Sequence, residues 1–186
     1  MVARVKPDQK EEDSPKSEQS GFLAVIGAMK IYTLKRTQFL PISLQEAWDF
    51  FSTPNNLEKI TPKHMSFNIL YKSGGEKMYP GQLIRYKVYG LPYVPMHWVT
   101  EITHVQEPHY FVDEQRFGPY ALWHHQHHFK AVPGGVEMVD EVNYGIPLGP
   151  LGRLANLLFV GRTVNAIFDH RYEVLEKYFS DKVKGK

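Results

Sequence analysis

The sequence predicts an α+β domain in which a curved antiparallel sheet is closed by one long C-terminal helix. Three observations carry this. Six segments of β character follow one another between residues 66 and 144, separated by Gly- or Pro-bearing turns. A further β segment and two short helices precede them. An apolar stripe at steps of three or four then runs from Leu151 to Phe179. The turns between the strands are too short for crossover helices, so neighbouring strands pair antiparallel. The concave apolar face of a bent sheet must be covered, and one long helix can lie across it. A sheet gripping a single helix over a wide palm tends to leave a cavity.

The elements follow in order. Residues 1–28 carry Pro7, Pro15 and many charged side chains without periodicity, and read as a disordered tail. The ordered domain is placed at residues 29–179 and a short basic tail at 180–186. Lys30 to Phe39 has mixed β character. Ser43-Leu44-Gln45-Glu46 is a capping box, in which the Ser hydroxyl accepts from the amide of Glu46 and the carboxylate reaches back. Ala47, Phe50 and Phe51 follow at helical spacing. Pro54 opens a second short helix with Leu57 and Ile60 on its apolar side, and Thr61-Pro62 stops it. The strand train is then Ser66–Tyr71, Leu83–Tyr89, His97–Val105, Tyr110–Phe117, Ala121–Val132 and Val136–Tyr144. Its clearest breaks are Gly74-Gly75, Gly118-Pro119 and Pro133-Gly134-Gly135. The Pro-stiffened apolar stretch Gly90–Met96 is a loop packed on the core or a lid at a cavity mouth.

Composition narrows the function classes. The chain has 186 residues, 42% of them hydrophobic and 23% charged, the balance of a globular protein. Cys is absent, so disulfides, thiol nucleophiles and cysteine-bound zinc are excluded. A formal charge of +2 gives no nucleic-acid footprint. The apolar run Phe22 to Met29 is too short to span a bilayer and follows an acidic stretch, the wrong flank for a secretory signal. The expectation is a soluble, cytoplasmic protein with no integral membrane segment.

Alternation along the last two strands assembles the informative cluster. Trp123, His125, His127 and Phe129 share one face of their strand, and the two large apolar groups mark that face as inner. Met138, Asp140, Val142 and Tyr144 form the apolar-rich face of the next. A turn at Pro133-Gly134 sets Phe129 opposite Met138, His127 opposite Asp140, His125 opposite Val142 and Trp123 opposite Tyr144. A turn at Gly134-Gly135 shifts the partners and keeps the faces, whereas a bulge at Gly135 would not. Three uses compete for His125, His127 and Asp140: a buried polar network orienting the wall, a head-group site with one imidazole nitrogen free, or catalysis or metal binding. For a metal, the His-x-His pair would take Asp140 or His104 as third ligand. For catalysis, His127 would be the general base and Asp140 its orienter. No serine elbow, phosphate loop or paired-carboxylate motif accompanies them. No cofactor or metal is assigned.

On the preceding strand Phe111, Asp113 and Gln115 alternate. A two-residue turn at Gly118-Pro119 puts them on the face opposite His125, and an odd or bulged loop aligns them. Arg153, Arg162 and Arg171 are nine apart, which makes no single basic stripe, and Arg171 reads as an ordinary surface ion-pair partner. Asn165 interrupts the apolar stripe as a candidate facing the cavity, with Gly161 leaving room beneath the helix.

The element order, with Phe117-Gly118-Pro119-Tyr120, Trp123 to Phe129, Met138 to Tyr144 and Pro147-Leu148-Gly149-Pro150-Leu151-Gly152, resembles the SRPBCC superfamily (the START/Bet v 1-like, helix-grip, polyketide cyclase-like group) in its uncharacterised bacterial branch. The resemblance spans residues 29–179. It implies a ligand cavity between sheet and helix, and it leans toward Asp113 and Gln115 facing inward. The expected function is binding of a hydrophobic or amphipathic small molecule such as a lipid, an isoprenoid or a polyketide-like compound. Phe50, Trp98, Phe111, Trp123, Phe129, Met138, Tyr144 and Phe168 line or floor the site, and His125, His127, Asp140, Asp113, Gln115 and Asn165 supply its polar groups. The alternatives are a cyclase-, aromatase- or hydrolase-type enzyme using His127 and Asp140, and a protein-interaction module with a filled core. No protein partner is identified.

Overall fold

A computed structural model of the chain describes residues 29–91 and 94–184. The predicted tail at 1–28, the last two residues and the centre of the Gly90–Met96 stretch lie outside the described residues.

Seven strands form one antiparallel sheet in the order β1-β7-β6-β5-β4-β3-β2. They are β1 (Ile31–Leu40), β2 (Asn68–Lys72), β3 (Gln82–Leu91), β4 (Val94–Gln106), β5 (Tyr110–Phe117), β6 (Leu122–Val132) and β7 (Gly135–Gly145). Each hairpin neighbour in sequence is a neighbour in the sheet, and β1 closes on β7. The chain crosses from β1 at one edge to β2 at the other through helix α1 (Leu44–Phe51) and two 3-10 segments, Pro54–Ile60 and Lys63–Met65. Ser43 caps α1 with the predicted box: its hydroxyl accepts from the Glu46 amide, and the Glu46 carboxylate accepts from the Ser43 amide at 3.1 Å. The predicted second helix is thus 3-10 rather than α.

Trp48, Phe50 and Phe51 of α1 bury against Phe111, Phe129 and Met138 of the sheet and Phe179 of the C-terminal helix. This knot of rings closes one end of the palm. Phe129 packs 5.2 Å from Phe51, and Trp48 meets both Phe111 and Phe129 edge-on.

The C-terminal helix runs in three pieces: α2 (Pro150–Ala155), a π-helical turn (Asn156–Val160) and α3 (Gly161–Lys184). Its C-terminal half keeps the predicted stripe at Phe168, Leu175 and Phe179, which are buried, whereas Asn165 and Tyr172 along its edge are exposed. Its N-terminal half does not. Leu151, Leu154 and Leu158 are 67%, 52% and 57% exposed. The π-turn is the cause, because it inserts one residue into the winding and rotates everything before it by about 100°. Gly152 is buried instead, and Ala155, Val160 and the half-exposed Phe159 border the cavity. Only a glycine fits at 152, since a Cβ there would sit 2.1 Å from the Pro147 carbonyl oxygen. The π-turn is pinned to the sheet by the Tyr144 hydroxyl, which donates to Asn156 Oδ1 at 3.1 Å. Further along, Gln38 of β1 donates to the Tyr172 carbonyl at 2.9 Å, so the C-terminal helix is held to the sheet at two levels, on β7 and on β1.

Candidate functional site

Between sheet, α3 and the 3-10 segments lies a cavity of about 380 Å³, inside the range of small-molecule sites. Ile84, Tyr86, Trp98 and Ile102 of β3 and β4 form one wall, and Leu57 and Ile60 close the side next to α1. Val160, Thr163, Ile167 and Phe168 form the helical roof. The lining is mostly hydrocarbon and aromatic, and its charged groups gather in one place: Asp113, His125, His127 and Arg171.

The β6–β7 register explains half of this cluster. Residues 132 and 135 pair across Pro133-Gly134, with Gly134 at φ +84°, and His127 lies opposite Asp140 while His125 lies opposite Val142. The first predicted register therefore forms. On the other side Asp113 pairs with His125 and Phe111 with His127, so the β5–β6 connection is odd and the two inner faces coincide. Gln115 braces that loop: its amide donates to the Tyr120 carbonyl at 2.6 Å and accepts from the Tyr120 amide at 3.2 Å.

Two imidazoles thus sit between two carboxylates. His125 Nε2 donates to Asp140 Oδ1 at 3.0 Å, and its Nδ1 lies 3.3 Å from Asp113 Oδ2. His127 Nε2 donates to Asp113 Oδ2 at 2.8 Å. Its Nδ1 is 2.9 Å from Asp140 Oδ1 but is not aligned for a hydrogen bond, and this buried nitrogen has no other partner among the described residues. The rings are 3.7 Å apart at their centroids, and Phe111 stacks on His127 at 4.0 Å. Arg171 reaches in from α3, with Nη1 3.7 Å from Asp140 Oδ2 and its guanidinium 4.8 Å over the Phe168 ring. At 8% exposure it is an interior residue, which corrects its assignment to the surface.

Electrostatics follow from this packing. Burial opposes ionisation of Asp113, but the His125 and His127 imidazoles beside it more than compensate and hold its pKa well below the usual carboxylate range. Asp140 is likewise held low against its burial, by the His125 hydrogen bond and the closeness of the His127 ring. Burial alone would lower the His125 pKa, yet Asp113 and Asp140 outweigh it and raise it. Two carboxylates, Asp113 and Asp140, thus face two imidazoles and the Arg171 guanidinium in one buried cluster. Nearby, burial pushes the Tyr86 phenol up, with the Asp113 charge adding to it, and its hydroxyl is paired with Thr100 Oγ1.

The predicted site residues fall into three groups. Phe50, Trp98, Phe111, Asp113, Trp123, His125, His127 and Phe168 line the cavity. Asp140 stands behind the two rings. Phe129 and Met138 belong to the closed core around α1, and Tyr144 packs with Leu34, Val142 and Val164, so none of these three lines the cavity. Gln115 serves the β5–β6 loop instead. Asn165 does not face the cavity: it is exposed, accepts from Arg36 Nη2 at 2.8 Å and donates to the Gly161 carbonyl. His104 is exposed and sits beside Thr103, away from the cluster. The sequence reading missed Arg171, although it lies three after Phe168 and four before Leu175, on the buried line of α3.

No family model and no curated protein matches the chain. Solved structures do match. A putative uncharacterised protein from Rhizobium leguminosarum aligns over 80% of this chain and 97% of its own at 18% identity and TM-score 0.59. Norcoclaurine synthase from Thalictrum flavum aligns over 94% and 98% at 10% identity and TM-score 0.59. The Bet v 1 family member Ara h 8.0201 aligns over 82% and 99% at 13% identity and TM-score 0.56. The chain shares with these structures the helix-grip α+β fold, a curved antiparallel sheet closed by a long C-terminal helix. Among the described residues no helix is long and apolar enough to cross a membrane.

Proposed function

We propose that the chain binds an amphipathic small molecule, its apolar body in the cavity and an oxygen-bearing head at the Asp113/His125/His127/Arg171 cluster. The observation that carries this is the single charged spot on an otherwise greasy wall. Apolar burial at about 25 cal/mol per Å² supplies affinity to any ligand of suitable shape, so the few polar groups choose among them. Two donors on lining residues, Trp98 Nε1 and Arg171 Nε, are buried without a hydrogen-bond partner among the described residues. Such groups favour a ligand that brings an acceptor to them. The cyclase-type alternative finds less support, because each ring nitrogen of His125 and His127 lies within 3.3 Å of a carboxylate and none stands free as a base.

The test is a fluorescence titration with N-phenyl-1-naphthylamine, a neutral apolar probe. Wild-type protein is expected to bind it saturably. Thr163→Trp, on the cavity roof, keeps out about 100 Å² of probe surface, about 2.5 kcal/mol or roughly a 50- to 100-fold loss of affinity. Leu158→Trp, on the exposed side of the same helix, leaves affinity unchanged. Equal affinity in all three proteins removes the cavity as the binding site.

A further inference from the structure

We infer that Asp113, His125 and His127 form a three-ligand site for a divalent transition-metal ion whose open coordination position faces the cavity. The donor atoms are Asp113 Oδ2, His125 Nδ1 and His127 Nε2. The oxygen lies 2.8 Å from the His127 nitrogen and 3.3 Å from the His125 nitrogen, and one ligand atom from each of the three residues falls within 4.8 Å of the others. An ion about 2.1 Å from tetrahedral donors holds them about 3.4 Å apart, so binding asks for small adjustments only. Both rings and the carboxylate line the cavity, which leaves the fourth position toward it.

The far sides of the rings make the stronger case. Metal-bound imidazoles are oriented by a carboxylate on their other nitrogen. Here one carboxylate serves both rings: Asp140 Oδ1 is 3.0 Å from His125 Nε2 and 2.9 Å from His127 Nδ1. Arg171 in turn approaches Asp140 from α3. A metal on His127 Nε2 takes the place of the proton donated to Asp113, and that proton moves to Nδ1, facing Asp140, while the Nδ1 proton of His125 is released to solvent. A small ring rotation on coordination aligns this nitrogen, which is buried without a hydrogen bond among the described residues. Two imidazoles and one carboxylate with an open position suit zinc or iron(II), and cobalt(II) as a spectroscopic substitute. The inference deepens the cavity reading and rests on it for the ligand: the head-group oxygen of the bound molecule would complete the coordination.

The experiment uses the full chain stripped with EDTA. Titration with Zn²⁺ is expected to show one equivalent bound, and Co²⁺ to develop visible absorption at the same stoichiometry. Asp140→Asn should weaken zinc binding by about 10- to 100-fold. Asp113→Asn, which removes a ligand anion from a partly open position, should weaken it at least as much while the thermal melt stays cooperative. His124→Ala, whose ring pairs with Glu114 on the outer face, should leave it unchanged. Failure of wild-type protein to bind either ion, or undiminished binding by Asp113→Asn, overturns the inference. The naphthylamine titration on the same stripped sample separates the two readings. Probe binding without zinc binding defeats the metal site alone, and zinc binding without probe binding defeats the cavity reading alone.

Discussion

Asp140→Ala is expected to destabilise the folded chain by about 3 to 5 kcal/mol, the range for breaking a buried ion pair from one side. The carboxylate is almost fully buried and lies within 3.7 Å of three cationic or ionisable groups, His125, His127 and Arg171. Without it, Arg171 loses its nearest counter-charge and His125 loses the acceptor for Nε2. The methyl that replaces it cannot fill the gap between the two rings. Asp140→Asn keeps an acceptor and the shape, so its cost should be smaller and due mainly to lost charge. Urea denaturation of both variants reads this directly. An Asp140→Ala protein as stable as the parent would show that the cluster does not carry the charges assigned to it.

Stability should peak between about pH 4 and pH 6.5 and fall on both sides. Facing one another in the cluster are Asp113 of β5, His125 and His127 of β6, Asp140 of β7 and Arg171 of α3, with the Tyr86 phenol of β3 close by. Asp113 and Asp140 have depressed pKa values in the folded chain. Their contribution is complete above the ordinary carboxylate value of about 3.9 and is lost as pH falls below it, because the unfolded chain then takes up protons the folded one refuses. Two such groups give a limb of up to about 2.7 kcal/mol per pH unit. His125 has the opposite sign. Its raised pKa gives stability that is present below about pH 6.5, its ordinary value, and is lost as pH climbs through the folded value. Urea midpoints across pH 3 to 9, with EDTA present, measure both limbs. A flat profile, or a maximum well above pH 8, contradicts the arrangement.

Much of this was legible from alternation and turn chemistry. Period-two alternation put His125, His127 and Asp140 on one face for either regular turn, and the turn at Pro133-Gly134, one of the two considered, is the one that forms and sets His127 opposite Asp140. Asp113 was undecidable, because its face depends on whether the loop after Phe117 is odd or even, and Gly118-Pro119 is compatible with both. The bracing of that loop by Gln115 is a tertiary fact with no signature in the spacing. The helix failed for a definite reason. A single π-turn shifts phase by one residue, so a continuous 3.6-residue count from Phe179 back to Leu151 puts the wrong leucines inside. Asn165 lies after the turn, at the edge of the stripe, where Arg36 of β1 binds it outside the cavity. Arg171 lay on the correct line all along. Its charge argued for the surface, and only the buried Asp140 across the cavity floor reverses that argument.

On the proposed function, the chamber receives a molecule with an apolar body and a polar head. The most direct measurement is a crystal structure of the protein as purified from its own cells without detergent. It should show continuous density between Trp98 and Phe168 that ends against Asp113, His125 and Arg171. A chamber holding only ordered water, or one closed by inward repacking of Trp98 and Phe159, would contradict it.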